Sequence, residues 1–326
     1  MVNVLPALKR LRRIVPPLIA LPLLASVIQP PRYGGELLAR QAQLVFTPLA
    51  LDADDPARRR LGELLYLGGW AVQSADARFG GLSALHVDDG DAIALSDGGD
   101  LVRWRLGGGA ATIQPLAQGP GAAFTKRNRD SESLVAGEGR LWIGYEGANE
   151  IWTYDPLTLA PLGRAAPRAM AGWGRNAGAE AMARLPGGRF LILEEAAAGA
   201  DGTVAALLMN GDPADPATET AALRYRPPAG YRPVDVAALA DGRLLILNRR
   251  FSLFGGFTAK LVMARIAGGS IEVEREIAHF APPVVTDNYE ALALTQENGR
   301  QILWLASDDN FNPLQRTLLL KFELGG

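Results

Sequence analysis

The chain has 326 residues, with 33 basic and 35 acidic side chains, two histidines and no cysteine. Absence of cysteine excludes disulfides, thiolate nucleophiles, iron–sulfur clusters and cysteine-ligated zinc, and His86 and His279 are too few for a three-histidine centre. A net charge of −2 leaves no electrostatic footprint for nucleic acid, and 48% hydrophobic residues with 7% aromatic is the composition of a globular fold with a full core.

Residues 1–31 carry Lys9, Arg10, Arg12 and Arg13, no acid, and an apolar run from Ile14 to Ile28. A basic stretch ahead of about 7–15 apolar residues is the pattern of an export signal. The run falls short of the roughly 20 residues of a spanning helix, and Pro16, Pro17 and Pro22 weaken it as one. The expectation is a periplasmic or secreted protein, with an uncleaved inner-membrane anchor as the variant. Residues 32–326 then form a single domain, monomeric, touching membrane only through the N-terminal segment.

Along that domain one unit recurs: an apolar stretch, a tight turn, a second apolar stretch and a polar landing. Its first landmark falls at positions 83, 132, 180, 235 and 290, and its second at 97, 146, 195, 249 and 308. The turns between are Asp89-Gly90, Gly137-Glu138-Gly139, Pro186-Gly187-Gly188, Asp241-Gly242 and Asn298-Gly299. Asp-Gly and Asn-Gly between apolar runs are strong hairpin signals. Further strand-like runs follow each hairpin, such as Leu101–Leu106 and Lys260–Ile266. Four short strands in a period of about 50 residues is the arithmetic of a β-propeller blade. The predicted fold is therefore all-β, a propeller of four-stranded antiparallel blades. Division of the length favours six blades, with five as the alternative, and residues 36–75 must close the ring with the C-terminal strand. An all-β solenoid is the structural runner-up.

Hairpin geometry brings both landmarks of every unit to one face, around the mouth of a central channel. The first set is Ser83, Glu132, Glu180, Asp235 and Glu290; the second is Asp97, Glu146, Glu195, Arg249 and Asp308. Like charges about 10 Å apart repel by roughly 1.7 kcal/mol at an effective dielectric of 20, so such a mouth needs a cation or interleaved arginines. Without cysteine and with two histidines, the fitting ion is a hard, oxygen-liganded one, Ca²⁺ or a similar divalent cation. Glu132, Glu180, Asp235, Glu290, Asp97 and Glu146 are the candidate metal ligands. Arg129, Arg175, Asn176, Arg249, Arg250 and Asn288 are candidates to hold a small anionic ester, and Glu195 or Asp308 to act as general base.

Arg78-Phe79-Gly80-Gly81-Leu82-Ser83, Asn176-Ala177-Gly178-Ala179-Glu180, Asp235 ahead of Asp241-Gly242-Arg243, Asn288-Tyr289-Glu290 and Ser307-Asp308-Asp309-Asn310-Phe311 together resemble the phytase-like β-propeller family. That family is also described as esterase-like activity of phytase. The resemblance implies a propeller, usually exported, and a link to calcium-dependent phosphoester or ester hydrolysis. It maps the family's acidic positions onto Glu132, Glu180, Asp235 and Glu290. Ser83 and Arg249 break the symmetric acidic ring, and four lysines in the whole chain argue against phytate as the substrate.

The leading expectation is thus a divalent-cation-dependent hydrolase of a phosphoester or carboxylic ester. A non-catalytic binding or scaffold propeller and a lactonase-type metal hydrolase are the alternatives. A Ser83–His86 dyad is set aside, because an odd offset on one strand points the two side chains to opposite faces. Gly172-Trp173-Gly174-Arg175-Asn176-Ala177-Gly178 misses phosphate-loop spacing and reads as a tight connection between units. Trp142 and Trp304 read as core.

Overall fold

A computed structural model describes residues 38–121, 129–174 and 177–325. The segment 1–31, Arg175 and Asn176 lie outside the described residues. Among those described, the chain is all-β, with one short 3-10 turn at Arg168–Met170. Three strands come first: β1 (Arg40–Pro48), β2 (Arg60–Leu61) and β3 (Leu64–Ser74).

Four complete meanders follow. The first is β4 (Leu82–Asp88), β5 (Asp91–Ser96), β6 (Asp100–Arg105) and β7 (Ala110–Pro115), and the second β8 (Ser131–Gly137), β9 (Arg140–Tyr145), β10 (Glu150–Tyr154) and β11 (Pro161–Ala165). The third is β12 (Ala179–Arg184), β13 (Phe190–Glu194), β14 (Val204–Met209) and β15 (Thr220–Tyr225). In the fourth, β16 (Arg232–Ala238) and β17 (Leu244–Ser252) are followed by β18 (Gly256–Ala267) and β19 (Ser270–Phe280). The last three strands are β20 (Tyr289–Glu297), β21 (Arg300–Ser307) and β22 (Leu318–Leu324).

The predicted turns carry the backbone that their sequences favour. Asp89-Gly90, Glu138-Gly139 and Asn298-Gly299 all take positive φ at both positions, the two-residue hairpin turn whose twist matches the flanking strands. β3 pairs antiparallel with β22, from Leu318 opposite Ala71 to Leu324 opposite Leu64, and so supplies the fourth strand of the fifth unit. The N-terminal part of the domain completes the last unit, as the sequence requires. β1 links β3 to β7. The described strands group into five four-stranded meanders when β3 is counted with β20–β22.

The first strands β4, β8, β12, β16 and β20 pack each on the next, and β20 packs back on β4. Five hydrophobic clusters fill the five interfaces between consecutive units. Ile143 and Leu95 meet in one, Trp142 and Ile192 in the next, and Leu193 and Ile246 in the third. Leu261 and Phe322 share the fourth, while Trp304 and Trp104 share the fifth. Strands caught between two such clusters are buried on both faces. That is why Phe190–Glu194 reads as one apolar run rather than an alternation. Trp142 and Trp304 are buried as expected.

Candidate functional site: an acidic ring at one end of the axis

Each first strand contains one extra residue near its start. The pairing register skips Ser83, Glu132, Glu180, Val234 and Glu290 in the five units. Such a bulge breaks the strict alternation of side chains and re-aims the residue that it leaves unpaired. The second landmarks sit just past the last pair of each hairpin. Their backbone reaches across to the first strand: Asp97 N donates to Gly81 O at 2.8 Å, Glu146 N to Asp130 O at 2.9 Å and Asp308 N to Asn288 O at 2.9 Å. Arg249 pairs with Arg232 at the same level. Repetition of one bulge and one landing, five times, places these residues at one end of the axis.

In the fourth unit the bulge is Val234, so Asp235 falls one position further on. It occupies the place of Ala84, Ser133, Ala181 and Ala291, not that of the acids. Its Oδ1 accepts from Val236 N and its Oδ2 from Leu292 N, both at 2.7 Å. Burial drives its pKa well above the usual carboxylate value, against those two hydrogen bonds. Asp235 therefore ties unit four to unit five, as Ser133 Oγ, donating to Ala179 O at 2.7 Å, ties unit two to unit three. Asp235 belongs to neither group of carboxylates whose oxygens lie within 4.8 Å of one another.

Six of the expected acids do come together: Glu132, Glu180, Glu290, Glu146, Glu195 and Asp308 act on one another electrostatically. Asp97 joins them through Glu290 and Asp308. Asp130 is an eighth carboxylate, absent from the expected set. Its signal was the spacing of two residues before Glu132, a position held by Gly81, Gly178, Arg232 and Asn288 in the other units counted from their bulges. Carboxylate oxygens of Asp130, Glu132 and Glu146 lie within 4.8 Å of one another, and so do those of Glu146, Glu180 and Glu195. Glu146 belongs to both groups. Full ionisation at such separations costs roughly 3.5 kcal/mol per pair at an effective dielectric of 20.

The pKa directions follow. Burial, then Glu180, Asp130, Glu290 and Glu146, pushes Glu132 well above the ordinary value. Burial, then Glu195, Glu290 and Glu146, does the same to Glu180, with Arg249 in partial opposition. Asp308 is raised by burial, Glu290 and Asp97. Glu290 is raised by burial, with Arg249 pulling the other way.

Arg249 is the arginine placed among these acids. Its Nη2 donates to Glu195 Oε1 at 2.9 Å, and its Nη1 to Glu290 Oε1 and to Asn288 Oδ1, the latter at 2.5 Å. Asn288 Nδ2 in turn donates to Glu290 Oε1 at 2.7 Å. Burial opposes the charge of Arg249, but Glu290, Glu195 and Glu180 outweigh it and raise its pKa. Two of the other expected substrate arginines, Arg129 and Arg250, lie elsewhere. Arg129 is buried and donates to the carbonyls of Leu116, Ala117 and Pro120. Arg250 points to the opposite side of β17, exposed, with its guanidinium 5.2 Å from the Tyr231 ring. Ser83 is buried and donates to Ser131 O at 2.6 Å, and His86 is no partner to it.

Glycine lets the ring close. A Cβ at Gly178 would stand 2.5 Å from Glu146 Cα, so only glycine allows the segment entering unit three to lie against Glu146. A Cβ at Gly81 would meet both Asp97 Oδ1, at 2.6 Å, and the Phe311 ring, at 2.5 Å. Phe311 thus borders the acids from a backbone held at φ 48°, directly after Asn310 at φ 49°.

A closed ring of four-stranded units with polar groups gathered at one end of its axis is a propeller-like architecture, and solved structures share it. The chain is similar to the calcium-binding protein regucalcin from Agrobacterium tumefaciens, at 13% identity over 75% of this chain and 91% of that one, TM-score 0.42. It is similar to glutaminyl cyclase from Myxococcus xanthus at 11% identity, over 76% and 92% of the two chains, TM-score 0.44. A bifunctional GH43-CE protein from Bacteroides eggerthii matches at 10% identity over 74% of this chain and 33% of that one, TM-score 0.50. These likenesses concern fold alone. No curated protein sequence matches the chain. The model of the phytase-like family, described as esterase-like activity of phytase, matches residues 77–311, and the chain belongs to that family.

Proposed function

We propose that the protein is a five-bladed propeller that hydrolyses an ester at the acidic end of its axis with the help of a divalent cation. The observation that carries this reading is the pair of carboxylate triads sharing Glu146, whose oxygens lie within 4.8 Å of one another. All-oxygen donors grouped in this way fit a hard cation such as Ca²⁺. Asp130, Glu132, Glu146, Glu180 and Glu195 would hold it. A cation bound there supplies Lewis-acid polarisation of the ester oxygen and lowers the pKa of water.

The remaining groups divide the work. Arg249, fastened between Glu195 and Glu290, fixes the orientation of both carboxylates. Asp308 stands apart from the triads with its pKa raised by burial and by Glu290 and Asp97, the direction that strengthens a carboxylate as a general base. It takes the proton of the attacking water, and Glu195, held by Arg249 at 2.9 Å, serves as a ligand. Arg129 and Arg250 face elsewhere, and a cation at the triads would draw an anionic ester to this end. Export through residues 1–31, and work as a monomer outside the cytoplasm, belong to the same reading.

The test uses purified protein stripped with chelator. Ca²⁺ is expected to raise Tm by several degrees and to switch on turnover of a nitrophenyl phosphate, a nitrophenyl acetate or a lactone, which separates the three ester classes. Glu146→Gln and Glu180→Gln should lose both effects, whereas Asp235→Asn, outside the acidic group, should keep the Tm response. A protein whose Tm ignores Ca²⁺, Mg²⁺ and Mn²⁺ and which turns over none of these esters would refute the reading. Cation binding without turnover would leave a binding propeller.

A further inference from the structure

The fourth unit differs from the others at the end that carries the acids. β17 and β18 run on past Arg249 to the pair Ser252–Gly256, so the hairpin projects beyond the ring. Its tip is apolar where a solvated turn would be polar: Phe251 is 54% exposed, Leu253 67% and Phe254 104%. Phe251 and Phe257 brace each other with ring centroids 4.9 Å apart. A fully exposed phenylalanine beside an exposed leucine at a loop tip has no part in the core.

The base of the hairpin is cationic. Arg250 lies on it, Arg232 opens β16 opposite Arg249, and Arg226 lies in the loop leading to β16; all three are exposed, and none forms an ion pair with a carboxylate of the described residues. Tyr231 makes the base rigid. Its ring lies between Arg250, at 5.2 Å, and Lys260, at 5.5 Å, and its hydroxyl is bonded to Thr258 Oγ1 at 3.1 Å and His279 Nε2 at 3.0 Å. Beside it a recess of about 550 Å³ is lined by Arg226, Gly230, Tyr231 and Arg232.

We propose that this hairpin docks the protein on an anionic phospholipid bilayer, with Leu253 and Phe254 inserted at the interface and Arg226, Arg232 and Arg250 on headgroup phosphates. Charge complementarity selects the occupant. Aromatic and aliphatic side chains enter the acyl boundary while cations beside them meet anionic headgroups. A protein partner that covered an apolar tip would not need three uncompensated guanidiniums around it. The recess is roomy enough for a headgroup and lies beside the segment that follows Glu195, so the bilayer would be held at the acidic end of the axis. This surface is separate from residues 1–31 and stands whether or not the ester chemistry does.

The test exploits the absence of cysteine. In the full chain, Phe254→Cys carries a single environment-sensitive fluorophore, so signal from residues 1–31 does not interfere. Vesicles of phosphatidylglycerol and phosphatidylcholine should shift its emission to the blue and raise its intensity, whereas pure phosphatidylcholine should give a much weaker response. Exchange of the three arginines for serine in the labelled chain should weaken the response roughly 100-fold in lipid concentration. In an unlabelled chain, Leu253→Asp with Phe254→Asp should leave Tm unchanged and lower vesicle affinity. Emission indifferent to anionic vesicles would overturn the proposal. So would a blue shift that tracks protein concentration without lipid, since that would make the tip a contact between copies of the chain.

Discussion

Arg249 stands where four of the five units place a carboxylate, and this substitution decides the charge balance of the ring. It answers Glu195 and Glu290 directly and lowers the cost of ionising Glu180. The three side chains are mostly buried, with exposures of 19%, 11% and 10%. Removal of one member of a buried pair strands the other, at a cost of about 3–5 kcal/mol. Arg249→Met is therefore expected to lower the urea midpoint markedly in chelator, and millimolar Ca²⁺ should restore part of the loss by supplying positive charge to the same acids. An unchanged midpoint would mean that the contacts of Arg249 with Glu195 and Glu290 do not stabilise the fold. Asp235 is the converse case. Spacing sets it with the other first-landmark acids, and the bulge at Val234 removes it from the ring. A sequence shows the interval between acids; it does not show whether the extra residue of a bulge falls at position 234 or 235, and one residue on a strand exchanges an axial side chain for one that ties neighbouring units together.

At the scale of elements, hairpins were legible because their turn dipeptides demand positive φ and their apolar runs demand two buried faces. The closing segment was legible only as residues 36–75, because β1 and β3 lack the landmark pattern and their individual places come from pairing with β7 and β22. Where the chain enters unit three, Gly178 permits a close approach to Glu146. Gly178→Ala sets a methyl against Glu146 backbone, and overpacking of that kind typically costs about 1–3 kcal/mol. Tm should fall and the cation response should weaken, because Glu146 is shared by both triads. Gly172→Ala, where a Cβ would meet nothing within 4 Å, should alter neither. Equal effects at the two glycines would show that the close approach to Glu146 is not what sets the geometry of the acids.

For the whole molecule, a ring of units cannot spread its acids apart without breaking its interfaces, so their repulsion becomes a property of global stability. Folding raises the pKa values of Glu132, Glu180, Glu290 and Asp308, burial being the main cause. A carboxylate whose pKa is raised on folding favours the folded state fully below its unfolded value of about 4 and loses that contribution as pH rises through the folded value. His86 works in the opposite sense: burial lowers its pKa, so its contribution grows as pH rises through the ordinary histidine range. Four acids outweigh one histidine. In chelator, Tm is therefore expected to decline from pH 5 toward pH 8. In saturating Ca²⁺ the decline should be shallower, since the cation replaces the protons that the ring acids would otherwise retain while Asp235, outside the ring, still contributes, and titration at fixed pH should release protons on binding. The gap between the two Tm curves should accordingly widen with pH. Parallel curves, or a gap that narrows toward pH 8, would mean that the acids are balanced within the chain by Arg249 and hydrogen bonds, and the case for a resident cation would fall with it.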